Sequence, residues 1–167
     1  MNRTFRLKIL IVDDNPHMRK LLATVLRALG SIDIVEMEDA EQAWSQLSVI
    51  HPDVAFVDWE LSGMSGLEFV RRLRNDPKSP DAFLPVIMLT SHTSIERVSN
   101  ARDAGVNEFL AKPVSAQAII DRLNALIHHP RPYVRTNKYF GPCRRRRNDP
   151  SFRGKDRRGA LVETEIE

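Results

Sequence analysis

Five side chains that could handle phosphate or a metal stand where four short apolar runs of the sequence end. They are Asp13, Asp14, Asp58, Thr90 and Lys112. A short apolar run is typical of a strand buried on both faces, and a charge at its end is costly unless a partner holds it there. The carboxyl ends of parallel strands meet at one edge of a sheet. We therefore expect these side chains to lie together.

The three aspartates predict a magnesium site. Carboxylates brought to one edge repel each other unless a hard cation neutralises them, and Mg²⁺ prefers oxygen ligands in octahedral geometry. We expect Asp14 and Asp58 to bind the ion directly, and Asp13 to bind it directly or through water. The backbone carbonyl of Glu60 is placed to add another oxygen. A plainer interpretation of Asp14 is that it only helps to begin the following helix.

A carboxylate beside a metal can also be a nucleophile. Attack by Asp58 on a phosphoryl group would give an aspartyl phosphate. Such a transfer needs positive charge and hydrogen-bond donors around the phosphoryl oxygens, which the ammonium of Lys112 and the hydroxyl of Thr90 would supply. The alternative interpretations are a surface lysine and an ordinary strand-end threonine. We interpret Asp58 as a phosphoacceptor, with Thr90 and Lys112 as its catalytic partners.

Strand and helix patterns alternate through residues 1–129, which we assign to one domain. Apolar runs predict five strands, at Ile9–Val12, Ile34–Met37, Val54–Val57, Val86–Leu89 and Phe109–Ala111. Helical spacing of apolar residues predicts five helices, at 18–29, Ala40–Val49, Gly66–Arg74, Ser94–Ala104 and Ala116–His128. This alternation implies right-handed βαβ units and a parallel sheet covered by helices on both faces.

Composition places the chain among ordinary globular proteins, with 42% hydrophobic and 28% charged residues in a length of 167. No apolar stretch approaches the roughly 18 residues of a membrane-spanning helix, so no membrane association is expected. The single cysteine, Cys143, excludes an internal disulfide framework and a multi-cysteine metal site, and we expect an exposed thiol. A reducing, cytoplasmic location fits.

Residues 130–167 are assigned to a basic, Pro- and Arg-rich C-terminal extension without an output domain. They carry 11 Lys and Arg against 5 Asp and Glu, whereas residues 1–129 carry 14 against 17. The pattern aromatic-x-Gly-x-x-Arg-Arg occurs twice, at 139–145 and 152–158, and the final LVETEIE alternates as a strand would.

Three interpretations of the extension stay open. Its composition is typical of disorder, its basic residues interleaved with aromatics fit nucleic acid, and its repeated pattern favours docking on a partner or on this domain itself. The sequence has no helix-turn-helix pattern, so sequence-specific DNA reading is not expected. The residues expected to make contacts are Tyr139, Phe140, Arg144, Arg145, Phe152, Arg157 and Arg158.

Four segments in order, ILIVDDN, VAFVDWELSGMSG, PVIMLTS and AGVNEFLAKP, resemble the receiver domain of two-component response regulators across residues 7–128. The resemblance implies a CheY-like, flavodoxin-like doubly wound α/β fold with five parallel strands in the order 2-1-3-4-5 and five helices. It implies Mg²⁺ binding by Asp13 and Asp14, and phosphorylation of Asp58 by a sensor histidine kinase or a histidine phosphotransfer protein. Thr90 and Lys112 would contact the phosphoryl group.

The resemblance also implies a conformational switch. Phe109 falls where the family has an aromatic residue coupled to the Thr90 hydroxyl, although an aromatic residue at a strand end also fits plain core packing. The bond between Lys112 and Pro113 is expected to be cis. The sequence departs from the family at Ser62, where the family often has a proline. We expect the serine to loosen the loop.

The sequence as a whole predicts a phosphorylation-dependent response regulator of a phosphorelay, which is not a turnover enzyme. Phosphorylation would repack the face of the fourth helix, fifth strand and fifth helix, and this face and the extension would bind a downstream protein or a second copy of the chain. One alternative is a phosphorylation-gated nucleic-acid-binding regulator that acts through the extension. Another is a phosphohydrolase, in which Glu60 supplies a second acid two residues after Asp58.

Overall fold

The structure, a computed structural model, describes residues 6–30, 32–92, 94–144 and 161–162. The strands are β1 (Leu7–Val12), β2 (Ile32–Met37), β3 (Val54–Asp58), β4 (Val86–Thr90), β5 (Glu108–Ala111), β6 (Tyr133–Thr136), β7 (Tyr139–Pro142) and β8 (Leu161–Val162). The helices are α1 (Pro16–Ala28), α2 (Ala40–Ile50), α3 (Gly66–Asn75), α4 (Ile95–Ala104) and α5 (Ala116–His128). Every strand and helix predicted before residue 130 is therefore present. Among the described residues, no helix is long and apolar enough to cross a membrane.

Strands β1 to β5 form one parallel sheet in the order β2-β1-β3-β4-β5, which confirms the predicted fold. Every residue of β3 and β4 is buried, because helices cover both faces of these central strands. One core cluster packs under α2, α3 and α4, and a second packs under α1 and α5. The apolar runs of the sequence are thus explained by burial on both sides.

Side-chain caps begin the helices that position the site. The side chains of Asp39, Ser94 and Ser115 accept hydrogen bonds from backbone N–H groups in the first turns of α2, α4 and α5. Asn15 caps α1 in the same way, so that helix does not need the carboxylate of Asp14. Gly105 ends α4 with a φ of 94°, a conformation in which a side chain would be strained.

The described part of the extension folds back on the sheet. Strands β6 and β7 form an antiparallel hairpin, and β8 pairs with the other edge of β6. The rings of Tyr133 and Phe140 are 4% exposed, and each lies 5.1 Å from the ring of Phe83, centroid to centroid. Cys143 is buried as well, and its expected exposure is wrong because its segment is packed inside this contact.

The residues expected to make contacts through the extension divide into two groups. Tyr139, Phe140 and Arg144 lie in or just after the hairpin, where they touch the first domain or one another. The other four, Arg145, Phe152, Arg157 and Arg158, lie outside the described residues. Of the interpretations left open, the described residues fit docking on the chain's own first domain.

A buried arginine, which the sequence analysis did not single out, binds the segments on which the hairpin packs. The guanidinium of Arg74, at the end of α3, donates to the carbonyl oxygens of Ala82 at 2.7 Å, Leu84 at 2.8 Å and Gly105 at 3.0 Å. It also donates to the side-chain oxygen of Asn107 at 3.0 Å. Burial lowers the pKa of this guanidinium. The arginine joins α3, the segment before β4 and the turn between α4 and β5.

Candidate functional site

The carboxyl ends of β1 and β3 bring the three aspartates together. One carboxylate oxygen from each of Asp13, Asp14 and Asp58 lies within 4.8 Å of the other two. Asp13 and Asp58 are buried, whereas Asp14 faces solvent. From β5, the ammonium of Lys112 reaches Asp58 Oδ2 at 2.9 Å and Asp13 Oδ2 at 3.1 Å. Four of the five predicted side chains therefore meet at this edge of the sheet.

Burial and the hydrogen bonds of Lys112 shift pKa values in opposite directions in this cluster. Burial raises the pKa of Asp58 and the charge of Asp13 adds to that rise, whereas the hydrogen bond from Lys112 opposes it. Burial alone would lower the pKa of Lys112, but its hydrogen bonds to Asp58 and Asp13 outweigh burial and raise that pKa. The lysine therefore stays charged, and its ammonium contacts two of the three carboxylates.

Three residues that the sequence did not assign to this role hold the aspartates in place. The backbone N–H of Asn15 donates to Asp13 Oδ1 at 2.9 Å, and the guanidinium of Arg19 donates to the Asp13 carbonyl at 2.6 Å. The hydroxyl of Ser62 donates to Asp14 Oδ2 at 3.2 Å. Ser62, which departs from the family's common proline, thus ties its loop to the aspartate instead of only loosening it.

The backbone around Asp58 leaves no room for a side chain at residue 66. The N–H of Trp59 donates to the Leu89 carbonyl at 2.9 Å, and the N–H of Gly66 donates to the Trp59 carbonyl at 3.1 Å. A Cβ on Gly66 would lie 2.0 Å from the carbonyl oxygen of Asp58. The first residue of α3 must therefore be glycine for this loop to close under the aspartate.

Gly66→Ala is expected to lower the free energy of unfolding by about 2 kcal/mol, the range typical of an overpacked backbone contact. The backbone movement that relieves this clash should also displace Asp58. Urea denaturation measures the first effect. Gln46→Ala, on the exposed face of α2, is the control and should stay within about 0.5 kcal/mol of the parent. An unchanged unfolding midpoint for Gly66→Ala would contradict the close approach.

Thr90 and Phe109 lie near the cluster but outside the bonded group. The Thr90 hydroxyl donates to the carbonyl of His92 at 2.8 Å and accepts from its N–H at 3.1 Å. The ring of Phe109 is half-buried and packs against the core under α2, α3 and α4. The peptide bond between Lys112 and Pro113 is cis. In this arrangement the threonine hydroxyl is bound to its own loop.

The carboxylate of Glu60 forms a bridge to α4. Its Oε1 lies 3.0 Å from Nη1 of Arg97 and 3.6 Å from Nδ1 of His92. The guanidinium of Arg97 also lies over the Trp59 ring, 5.3 Å from its centroid. The side chain of Glu60 is therefore engaged by α4 and the loop before it.

Comparison with known proteins agrees with this site. A family model, the response regulator receiver domain, matches residues 9–124. The chain is 32% identical over 122 residues to chemotaxis protein CheY1 of Helicobacter pylori, an alignment that covers 72% of this chain and 97% of that protein. It is 33% identical over 120 residues to chemotaxis protein CheY of Pseudomonas aeruginosa, with 72% and 95% covered.

A solved structure gives the same picture. A putative response regulator from Chloroflexus aurantiacus superposes with a TM-score of 0.68 at 30% identity, covering 74% of this chain and 99% of that one. The family match ends at residue 124, so the extension lies beyond it. With the aspartates, the lysine and the threonine at the strand ends that the family model spans, the chain belongs to the response regulator receiver family.

Proposed function

We propose that Asp58 accepts a phosphoryl group from a phosphohistidine and that this modification switches a protein-binding face. The donor would be a sensor histidine kinase or a histidine phosphotransfer protein in the cytoplasm. The observation that carries the proposal is the buried carboxylate of Asp58, which lies within 4.8 Å of two others and 2.9 Å from the ammonium of Lys112.

The donor set fits Mg²⁺. Three carboxylates lie together and the ammonium of Lys112 contacts two of them, so the cluster keeps an excess of negative charge that a hard cation would neutralise. The carboxylates of Asp13, Asp14 and Asp58 and the backbone carbonyl of Glu60 would hold the ion. Bound there, Mg²⁺ would offset the repulsion among the carboxylates and draw charge from the phosphoryl oxygens.

The chain's own residues account for the transfer. An oxygen of the Asp58 carboxylate attacks phosphorus as the bond from phosphorus to the donor imidazole nitrogen breaks. The electron pair of that bond returns to the imidazole, which takes a proton from solvent, and the product is an acyl phosphate. Lys112, already on Asp58 Oδ2, would bind a phosphoryl oxygen and stabilise the charge that develops there.

The switch would begin at Thr90. A phosphoryl group on Asp58 would compete with His92 for the Thr90 hydroxyl, and Phe109 would follow it inward. Because the loop after Thr90 leads into α4 and Phe109 lies on β5, the face of α4, β5 and α5 would change its packing. That face would bind a downstream protein, or a second copy of the phosphorylated chain. The protein signals through this change and is not a turnover enzyme.

The test is labelling with acetyl phosphate, a small phosphodonor, in the presence of Mg²⁺. We expect intact-protein mass spectrometry to show addition of one phosphoryl group that is lost at alkaline pH, as an acyl phosphate would be. EDTA should prevent the addition. Failure to label with acetyl phosphate and with a phosphohistidine donor would contradict the proposed function.

Thr90→Val is expected to weaken binding of beryllofluoride, a phosphoryl mimic, about tenfold in the presence of Mg²⁺. Valine keeps the shape of threonine, and one hydrogen bond to a charged group contributes about 1.5 kcal/mol or more. Trp59 fluorescence, in a Trp44→Phe background, reports binding. Ser91→Ala, at the exposed neighbouring residue, is the control and should bind as the parent does. Equal affinities for Thr90→Val and the parent would exclude a hydroxyl contact.

The two other hypotheses gain no support from the described residues. The ring of Phe140 is buried and its outer face is covered by Arg135 at 4.1 Å, whereas Tyr139 is covered by Arg144 at 4.5 Å. These rings are therefore not presented for stacking on nucleic-acid bases. For a phosphohydrolase, the carboxylate of Glu60 would have to serve as an acid, but it is bound to Arg97.

A further inference from the structure

The hairpin of β6 and β7 contacts the sheet at the edge opposite Asp58. It reaches the turn between α4 and β5, where the side-chain N–H of Asn107 donates to the Tyr133 hydroxyl at 3.2 Å. That hydroxyl donates to the carbonyl of Phe83 at 2.7 Å, and the guanidinium of Arg131 donates to the carbonyl of Asn107. The hairpin is therefore bonded to the start of β5.

The segment after the hairpin is bonded to the last turn of α4. The guanidinium of Arg144 lies 2.9 Å from the carboxylate of Asp103, and the guanidinium of Arg102 donates to the Arg144 carbonyl at 3.1 Å. Both side chains of the ion pair between Arg144 and Asp103 are about half exposed, so the pair contributes little to the free energy of docking. The extension thus contacts both α4, which ends at this turn, and the start of β5, which follows it.

Two glycines bring the backbones of α4 and the hairpin into direct contact. A Cβ on Gly141 would lie 2.9 Å from the Cα of Gly105, and a Cβ on Gly105 would lie 3.1 Å from the carbonyl oxygen of Phe140. The side chains of Arg74 and Tyr139 crowd the same two glycines. A shift of the end of α4 relative to β5 must therefore move the hairpin or break its contact.

We propose that docking of the hairpin is coupled to phosphorylation and favours the resting arrangement of the switch. The inference rests on the proposed function. The hairpin contacts exist together with the Thr90–His92 hydrogen bonds, which a phosphoryl group on Asp58 would have to break. Since α4 and β5 run from the hairpin to the phosphorylation site, repacking them loosens the hairpin. By reciprocity, loosening the hairpin favours the phosphorylated arrangement.

The experiment uses the full chain and beryllofluoride with Mg²⁺. Hydrogen–deuterium exchange of the β6 and β7 amides is measured with and without the mimic, and we expect it to be about fivefold faster with the mimic. Gly141→Ala, which crowds Gly105, should bind the mimic about fivefold more tightly than the parent. Tyr133→Phe keeps the ring but removes the hydroxyl, and should shift affinity in the same direction.

Lys138→Ala, on the exposed turn of the hairpin, is the matched control and should match the parent. If the parent binds beryllofluoride but hairpin exchange is unchanged and both hairpin variants bind equally well, the coupling is wrong while the proposed function stands. Slower exchange, or weaker binding by both variants, overturns the stated direction. If the parent binds no beryllofluoride at all, the proposed function fails and the coupling fails with it.

Discussion

Asp58→Asn is expected to abolish labelling by acetyl phosphate and by a phosphohistidine donor. An amide oxygen is a far weaker nucleophile than a carboxylate, and asparagine also removes one of the three negative charges that would hold Mg²⁺. Asparagine has almost the shape of aspartate, so the packing of this buried side chain should persist. Intact-protein mass spectrometry after incubation with the donor measures the loss.

The control for this variant is Asp53→Asn, at an exposed aspartate whose carboxylate accepts from the Lys8 N–H at 2.7 Å. It lies before β3 while Asp58 ends that strand, so the two residues occupy opposite edges of the sheet. Labelling of Asp53→Asn should equal that of the parent. Undiminished labelling of Asp58→Asn would place the acceptor elsewhere.

Asp58→Asn should be at least as stable as the parent at neutral pH. Burial and the charge of Asp13 raise the pKa of Asp58, so ionisation of this carboxyl is less favourable in the folded protein than in the unfolded chain. Its contribution to stability therefore falls as pH rises through the unfolded and then the folded pKa. Removing the charge relieves that cost, and urea denaturation without added metal should show no loss.

The sequence was sufficient for the first domain because its signals are local and repeated. Apolar runs mark β1, β3 and β4, whose faces are covered on both sides, and side-chain caps mark the starts of α2, α4 and α5. Strand order cannot be read from periodicity, and it came from resemblance to the receiver family. The meeting of the aspartates then follows from parallel strands that end at one edge.

Other features depend on contacts between distant segments, which periodicity does not encode. The Thr90 hydroxyl is oriented by its hydrogen bond to the His92 carbonyl, a contact that the sequence pattern does not predict. The sequence left the extension open between disorder, nucleic acid and docking on a partner or on this domain, whereas Tyr133 and Phe140 pack on Phe83, about fifty residues earlier in the chain. Arg74 was overlooked, although it stands four residues after Val70 on the buried face of α3.

Arg74→Met is the second large effect that we expect, a loss of about 3 kcal/mol in the free energy of unfolding. Methionine fills much of the space but donates nothing to the carbonyls of Ala82, Leu84 and Gly105 or to Asn107. Each buried acceptor left without a donor costs about 1–3 kcal/mol. Against this, methionine removes the cost of burying the guanidinium charge. That same cost lowers the pKa of Arg74.

The three carbonyl acceptors decide the sign of this balance, because Asn107 Oδ1 still accepts from the Val86 N–H at 3.0 Å. Arg71→Met, one turn earlier on the exposed face of α3, is the matched control and should change stability by less than about 0.5 kcal/mol. Urea denaturation compares the two variants. If Arg74→Met were as stable as the parent, burial of the charge would outweigh its hydrogen bonds, and the arginine would not stabilise the contact between the hairpin and the end of α4.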